Sequence, residues 1–140
     1  MGASRLSLGE HDTVLSGIRF HYVVVGHGPL LVVQAPGWGI GSTYLQTGLA
    51  PLEKHFTLLL YDPRGSGSSG RPADETQLST SDMIDDLERL RMYWKLKALD
   101  LLGHSQGGSV ALGYAERYAA RFGIAQKFIQ HGRGVQAVLR

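Results

Sequence analysis

Gly103-His104-Ser105-Gln106-Gly107 is the stretch of this sequence best suited to chemistry, because it places one hydroxyl between glycines two residues away on either side. The apolar residues 98–102 lead into it as a strand, and residues 109–121 lead out as a helix. At such a strand-to-helix turn the backbone is strained and aims the serine Oγ outward, while a side chain at Gly103 or Gly107 would collide with the neighbouring strand and helix. The Gln106 N–H then lies at the positive end of the helix, where a developing oxyanion can be held. The chemistry this suits is acyl transfer, with Ser105 attacking a carbonyl carbon.

Acyl transfer asks for three more groups: a second oxyanion donor, a base, and a group that orients the base. The glycine-rich run Ala35-Pro36-Gly37-Trp38-Gly39-Ile40-Gly41 follows a short apolar strand over residues 30–34 and supplies a candidate donor. Gly37 and Gly39 let the backbone approach closely, which makes the Trp38 N–H the expected second donor. The base is harder to place. His11, His21, His27 and His55 lie in the first half of the chain. His104 adjoins Ser105, but adjacent residues at a tight turn do not face each other, so it is read as a packed structural residue. Only His131 follows Ser105, and no Asp or Glu follows Glu116 to orient it. The triad is therefore expected to be incomplete in this chain, with His131 as an improvised base.

A third glycine run, Gly65-x-Gly67-x-x-Gly70, spells a dinucleotide fingerprint. That motif works when its glycines run straight from a strand into a helix whose N-terminus receives a pyrophosphate. Here Asp62-Pro63-Arg64 intervene and Arg71-Pro72 follow, so a structural turn pinned by Asp62 and Arg64 is expected, and no cofactor.

Pro36-Gly37-Trp38-Gly39, the D-x-R-G-x-G-x-S run from Asp62 to Ser69, the helix text around residues 82–91 and the Gly103–Gly108 turn come in the order and spacing of the α/β-hydrolase-1 family, which this chain resembles over about residues 12–121. The helix text is most similar to the proline iminopeptidase-like branch of serine hydrolases. The resemblance implies Ser105 as nucleophile, the Trp38 and Gln106 amides as oxyanion hole, and an ester, amide or N-terminal peptide bond as substrate. Epoxide hydrolases and haloalkane dehalogenases share much of the loop text but use a carboxylate where Ser105 stands. Two departures are visible. Pro36-Gly37 replaces the usual His-Gly, and the acid and base that follow the nucleophile in the family's chain order are not found. The alternative is a catalytically inactive hydrolase fragment or binding module.

Other elements must position these groups. Residues 13–15 and 18–25, split by Ser16-Gly17, form an expected hairpin. A helix is expected over residues 42–54 and a buried strand over 56–61. Met83, Ile84, Leu87, Leu90 and Trp94 make a helical stripe, with Ser81 as N-cap and Asp82, Asp85 and Asp86 early on a solvated face. Alternating strands and helices imply an α/β fold with a mostly parallel sheet and helices on both faces, C-terminally truncated. Residues 1–121 form the N-terminal part of the domain and 122–140 an atypical tail, with a helical turn at 126–130 and a short strand at 135–139. Unless that strand folds back, the strand before Ser105 is left at a sheet edge and favours self-association.

Composition narrows the function classes. The 140 residues include 19 glycines and no cysteine and carry a formal net charge of +2, too mild to indicate nucleic acid. Without cysteine there is no disulfide or thiolate metal site. No apolar leader or membrane-length run is seen, so a cytoplasmic protein acting on a small molecule or peptide, with no membrane or nucleic-acid partner, is expected.

Overall fold

The computed structural model describes residues 4–122, 126–131 and 134–139, and from residue 119 onward the backbone only. Seven strands form one sheet: β1 (Gly9–Leu15), β2 (Ile18–Gly26), β3 (Leu30–Gln34), β4 (Thr57–Tyr61), β5 (Leu101–His104), β6 (Gln126–His131) and β7 (Gly134–Leu139). Their order across the sheet is β1-β2-β4-β3-β5-β7-β6. The fold is of the α/β-hydrolase type expected from the sequence, but the sheet is mixed and not the mostly parallel one expected. Parallel pairing is concentrated at the centre, where β3 lies between β4 and β5, and hairpins extend the sheet antiparallel on both flanks.

The pleat explains how the centre is buried. Along β4, Leu58 and Leu60 point to one face, Leu59 and Tyr61 to the other. The first face is covered by α1 (Thr43–Gly48) and a 3-10 turn at Ala50–Lys54, with Leu45, Leu49 and Leu52 packed on Leu31 and Val33. The second carries α2 (Thr80–Trp94) and α3 (Gln106–Phe122) over Phe20, Tyr22, Val32 and Leu101. Leu87 and Leu90 of α2 are fully buried, a burial worth about 1.5–3 kcal/mol for each such side chain.

Several boundaries differ from the sequence reading, each for a local reason. The helix expected over 42–54 breaks after Gly48 because Pro51 has no N–H to donate and its ring crowds the preceding turn. The N-cap of α2 is Ser79, not Ser81: its hydroxyl accepts from the Asp82 N–H, and the Asp82 carboxylate accepts from the Ser79 N–H in return. Ser81 is occupied instead by the Arg117 guanidinium, which donates to its Oγ at 3.1 Å. Asp86 does not belong to a solvated face. It is 2 % exposed, because it flanks the apolar stripe on the side that meets the loop after β4.

The tail also corrects an expectation. Residues 126–130, read as a helical turn, lie in strand β6, paired with β7 from Gln126–Leu139 to His131–Gly134. β7 in turn pairs antiparallel with β5, Leu101 opposite Leu139 and His104 opposite Gln136. β5 is therefore covered on both sides, and the open edge moves to β6.

Candidate active site

Ser105 sits between the last residue of β5 and the first of α3, at φ 57°, in the left-handed region that L side chains avoid. The turn is held by the Gly108 N–H, which donates to the Ser105 carbonyl at 2.9 Å. A Cβ on Gly103 would stand 2.5 Å from the Gly107 carbonyl oxygen, and one on Gly107 would overlap the Gln34 carbonyl at the end of β3. Both positions thus exclude any side chain, and the crossing of α3 over β3 is as close as backbone permits. Ser105 itself is exposed, and its hydroxyl makes no hydrogen bond among the described residues. The Gln106 N–H opens α3 and is likewise unbonded among them, as the first amides of a helix are.

The loop after β3 approaches the same spot. Gly37 and Ile40 exchange two backbone hydrogen bonds of 3.1 Å around Trp38 and Gly39, whose φ values are 50° and 94°. Positive φ at both central residues makes this a type I′ turn, which glycine enters freely and tryptophan only under strain. The Gly39 N–H donates to Ser66 Oγ at 3.0 Å, whereas the Trp38 N–H has no acceptor among the described residues. The Trp38 ring is 43 % exposed.

Beneath these turns lies the loop after β4. Asp62 Oδ1 accepts from the Ser42 N–H at 2.7 Å and from Ser42 Oγ at 2.9 Å, and Oδ2 accepts from the Ser68 N–H at 2.9 Å. One carboxylate therefore joins the start of α1 to the D-x-R-G-x-G-x-S loop. Arg64 donates through Nε and Nη2 to the two oxygens of Asp86, at 2.5 and 2.7 Å, and through Nη1 to the Gln77 carbonyl at 2.9 Å. These bonds hold the guanidinium above its ordinary value, while burial pushes the Asp86 carboxyl up against the pull of Arg64. At the end of β3 the Tyr61 hydroxyl donates to Gln34 Oε1, and burial pushes that phenol well above its usual range.

His104 is half-buried, and its Nδ1 lies 2.8 Å from the Tyr44 hydroxyl of α1. That nitrogen is engaged with α1 and not with Ser105. His131 lies at the end of β6, and its side chain is outside the described residues. Among the described residues no three His, Asp or Glu side chains converge to hold a metal.

Three contributors to this edge were missed in the sequence: Tyr44 as partner of His104, Ser66 as acceptor for Gly39, and Asp86 as partner of Arg64. Tyr44 and Ser66 carry no local signal, since their partners are 60 and 27 residues away. Asp86 did carry one, because its i−3 and i+4 neighbours Met83 and Leu90 place it beside the apolar stripe and not opposite it.

The chain is similar to known proteins in sequence and fold. The alpha/beta hydrolase fold family model matches residues 30–127. The chain is 36 % identical over 119 residues to the human protein "Serine hydrolase BPHL", covering 80 % of this chain and 40 % of that protein. It is 35 % identical over 89 residues to a proline iminopeptidase from Heyndrickxia coagulans, covering 64 % of this chain and 31 % of the relative. Among solved structures, a proline iminopeptidase-related protein from Thermus thermophilus superposes with a TM-score of 0.71 at 26 % identity, over 78 % of this chain and 40 % of that one. The chain thus spans about two fifths or less of the length of these relatives. With its family matched over most of its length and its sheet, helices and turns in place, the chain belongs to the alpha/beta hydrolase fold family.

Proposed function

We propose that Ser105 is the nucleophile of a serine hydrolase acting on ester, amide or N-terminal peptide bonds. Ser105 Oγ attacks the substrate carbonyl carbon, and the carbonyl oxygen takes up negative charge between the N–H groups of Trp38 and Gln106. Collapse of the tetrahedral species expels the alcohol or amine and leaves an acyl-serine, which water then hydrolyses. The observation that carries this reading is the conjunction at one sheet edge of an exposed, unbonded hydroxyl at positive φ and two unbonded backbone donors. Gly37, Gly39, Gly103 and Gly107 let the backbones approach, and Asp62 and Arg64 fix the loop below.

The proton of Ser105 needs an acceptor. The Nδ1 of His104 is engaged by Tyr44, and no Asp or Glu follows Glu116 in this sequence. We therefore read the triad as incomplete within these 140 residues. A serine without a base stays protonated near neutral pH, and the catalysis left to an oxyanion hole and binding alone is roughly 10³–10⁴-fold over water. The substrate is a small molecule or peptide, and a cytoplasmic setting accords with this reading. Among the described residues no helix is long and apolar enough to cross a membrane.

The test is labelling with a fluorophosphonate and location of the adduct by mass spectrometry. Slow modification at Ser105, lost in Ser105→Ala, is expected. Equal modification of the Ser105→Ala protein would overturn the assignment. The engagement of His104 by Tyr44 also favours a second reading, an inactive module that keeps the fold and its surface. Absence of any adduct at Ser105 after prolonged exposure would select that reading.

A further inference from the structure

We infer that Gln34 is a positioning residue for the oxyanion hole: its buried side-chain amide, aimed by the Tyr61 hydroxyl, fixes the Ala35 carbonyl and so seats the loop that carries the Trp38 N–H. This rests on the assignment of Ser105, Trp38 and Gln106 and adds a residue to it.

The first observation is an amide where the sheet calls for a hydrocarbon. β3 reads Leu30-Leu31-Val32-Val33-Gln34, and Gln34 is 0 % exposed. It stands opposite Tyr61 of β4 on one side and Gly103 of β5 on the other. Its place in the pleat puts it on the face of Val32, under α3. Burying an amide there carries a desolvation cost that a side chain of the same size without polar atoms does not. What the amide adds over a hydrocarbon is direction.

The second observation is what the amide bonds. The Tyr61 hydroxyl donates to Gln34 Oε1, and Gln34 Nε2 donates to the Ala35 carbonyl at 3.1 Å. Turned over, the amide would set its oxygen against the Ala35 carbonyl oxygen, so one orientation serves both bonds. A hydroxyl on β4 thus aims an amide on β3, and that amide holds the first carbonyl of the loop after β3. A satisfied buried chain of this kind keeps its groups in a single arrangement.

The third observation is where that carbonyl lies. A Cβ on Gly107 would stand 3.0 Å from both the carbon and the oxygen of the Ala35 carbonyl. The group Gln34 holds is therefore packed on the first turn of α3, beside the residue that follows Gln106. Trp38 is three residues further along, past Pro36, whose ring fixes its φ, and Gly37. Ser66 holds the far part of this turn through the Gly39 N–H, and Gln34 holds its start. A misplacement of about 1 Å at a catalytic group can cost roughly 10²-fold in rate.

The test is the rate of fluorophosphonate labelling at Ser105 in Tyr61→Phe, Gln34→Met and the double variant, with urea unfolding followed alongside. Tyr61→Phe removes one oxygen and should slow labelling at least threefold. Gln34→Met should slow it at least tenfold at saturating probe, with the half-saturating probe concentration changed less than twofold. Each single variant strands a buried polar group and should unfold at lower urea, whereas the double variant removes both partners and should regain stability. Its labelling should stay at least tenfold slow. Labelling that recovers together with stability in the double variant would make the role structural and overturn the inference, as would wild-type labelling rates in either single variant. Failure of the Ser105 assignment shows separately, as no adduct at Ser105 in the wild-type protein. The backbone amide resonances of Ser105→Ala then decide the matter, since Gln34→Met should displace those of Gly37 and Trp38 and leave those of residues 80–94 in place. An unmoved Trp38 amide would overturn the inference whether or not Ser105 is labelled.

Discussion

Two glycine-rich turns leave the same edge of the sheet, one after β4 and one after β5, and they treat their polar groups in opposite ways. In the turn after β4, both oxygens of Asp62 are used, Arg64 donates at three nitrogens, and Asp62, Arg64 and Asp86 are nearly sealed from solvent. In the turn after β5, a hydroxyl and an amide are left exposed and unbonded, at a backbone angle that costs energy. Satisfied groups hold shape and unsatisfied ones remain available to a substrate. The saturated turn braces the loop after β3, through Ser42 at the foot of α1 and Ser66 beneath Gly39, and the start of that loop lies against Gly107 of the unsaturated turn.

That contrast predicts opposite signs for substitutions a few residues from the same edge. Asp86→Ala strands the buried Arg64 guanidinium and should lower the free energy of unfolding by about 3–5 kcal/mol, measured by urea titration. A loss below about 1 kcal/mol would mean that Arg64 finds water or Gln77 sufficient. Asp62→Ala leaves the Ser42 and Ser68 amides without an acceptor and should cost about 2–3 kcal/mol on the same scale. On the other side of the comparison, Ser105→Gly removes the left-handed strain and should stabilise the fold by about 1 kcal/mol while abolishing fluorophosphonate labelling. Destabilisation there would count against a strained elbow. A comparably small effect is expected far from both turns. Ser79→Ala breaks the capping box of α2 and should cost about 1 kcal/mol at neutral pH. The bond from Ser79 holds the Asp82 carboxyl below its ordinary value, so its contribution is present above the usual carboxylate range and is lost as pH falls through and below it. The difference between wild type and Ser79→Ala should accordingly narrow in acid.

Much of this was legible in the sequence because it is local. The hairpin around Ser16-Gly17, the apolar runs of β3 and β4 and the stripe of α2 each declare themselves within a dozen residues. The elbow glycines do so too, since the collision they avoid is built into the turn. What was not legible depends on partners far along the chain. The position of Asp86 beside the stripe is local, but its partner Arg64 is not, and Tyr44 reads as an ordinary helix residue until β5 brings His104 beside it. The tail misled for another reason: residues 126–130 have no strong period, and a strand there is specified by β7 alone.

The arrangement of the sheet carries a kinetic consequence. The flanking hairpins join neighbours in sequence, Leu15 with Ile18 and His131 with Gly134. The central pairing joins Val32 to Leu101. Closing a long stretch of chain is slower than closing a two-residue turn, so the flanks of the sheet can form early and repeatedly while its centre waits. Ser105 and Trp38 stand on loops that only this late central pairing brings together. Whatever chemistry this edge performs therefore depends on the most long-range pairing of the sheet, and a chain without that pairing carries the residues without the site.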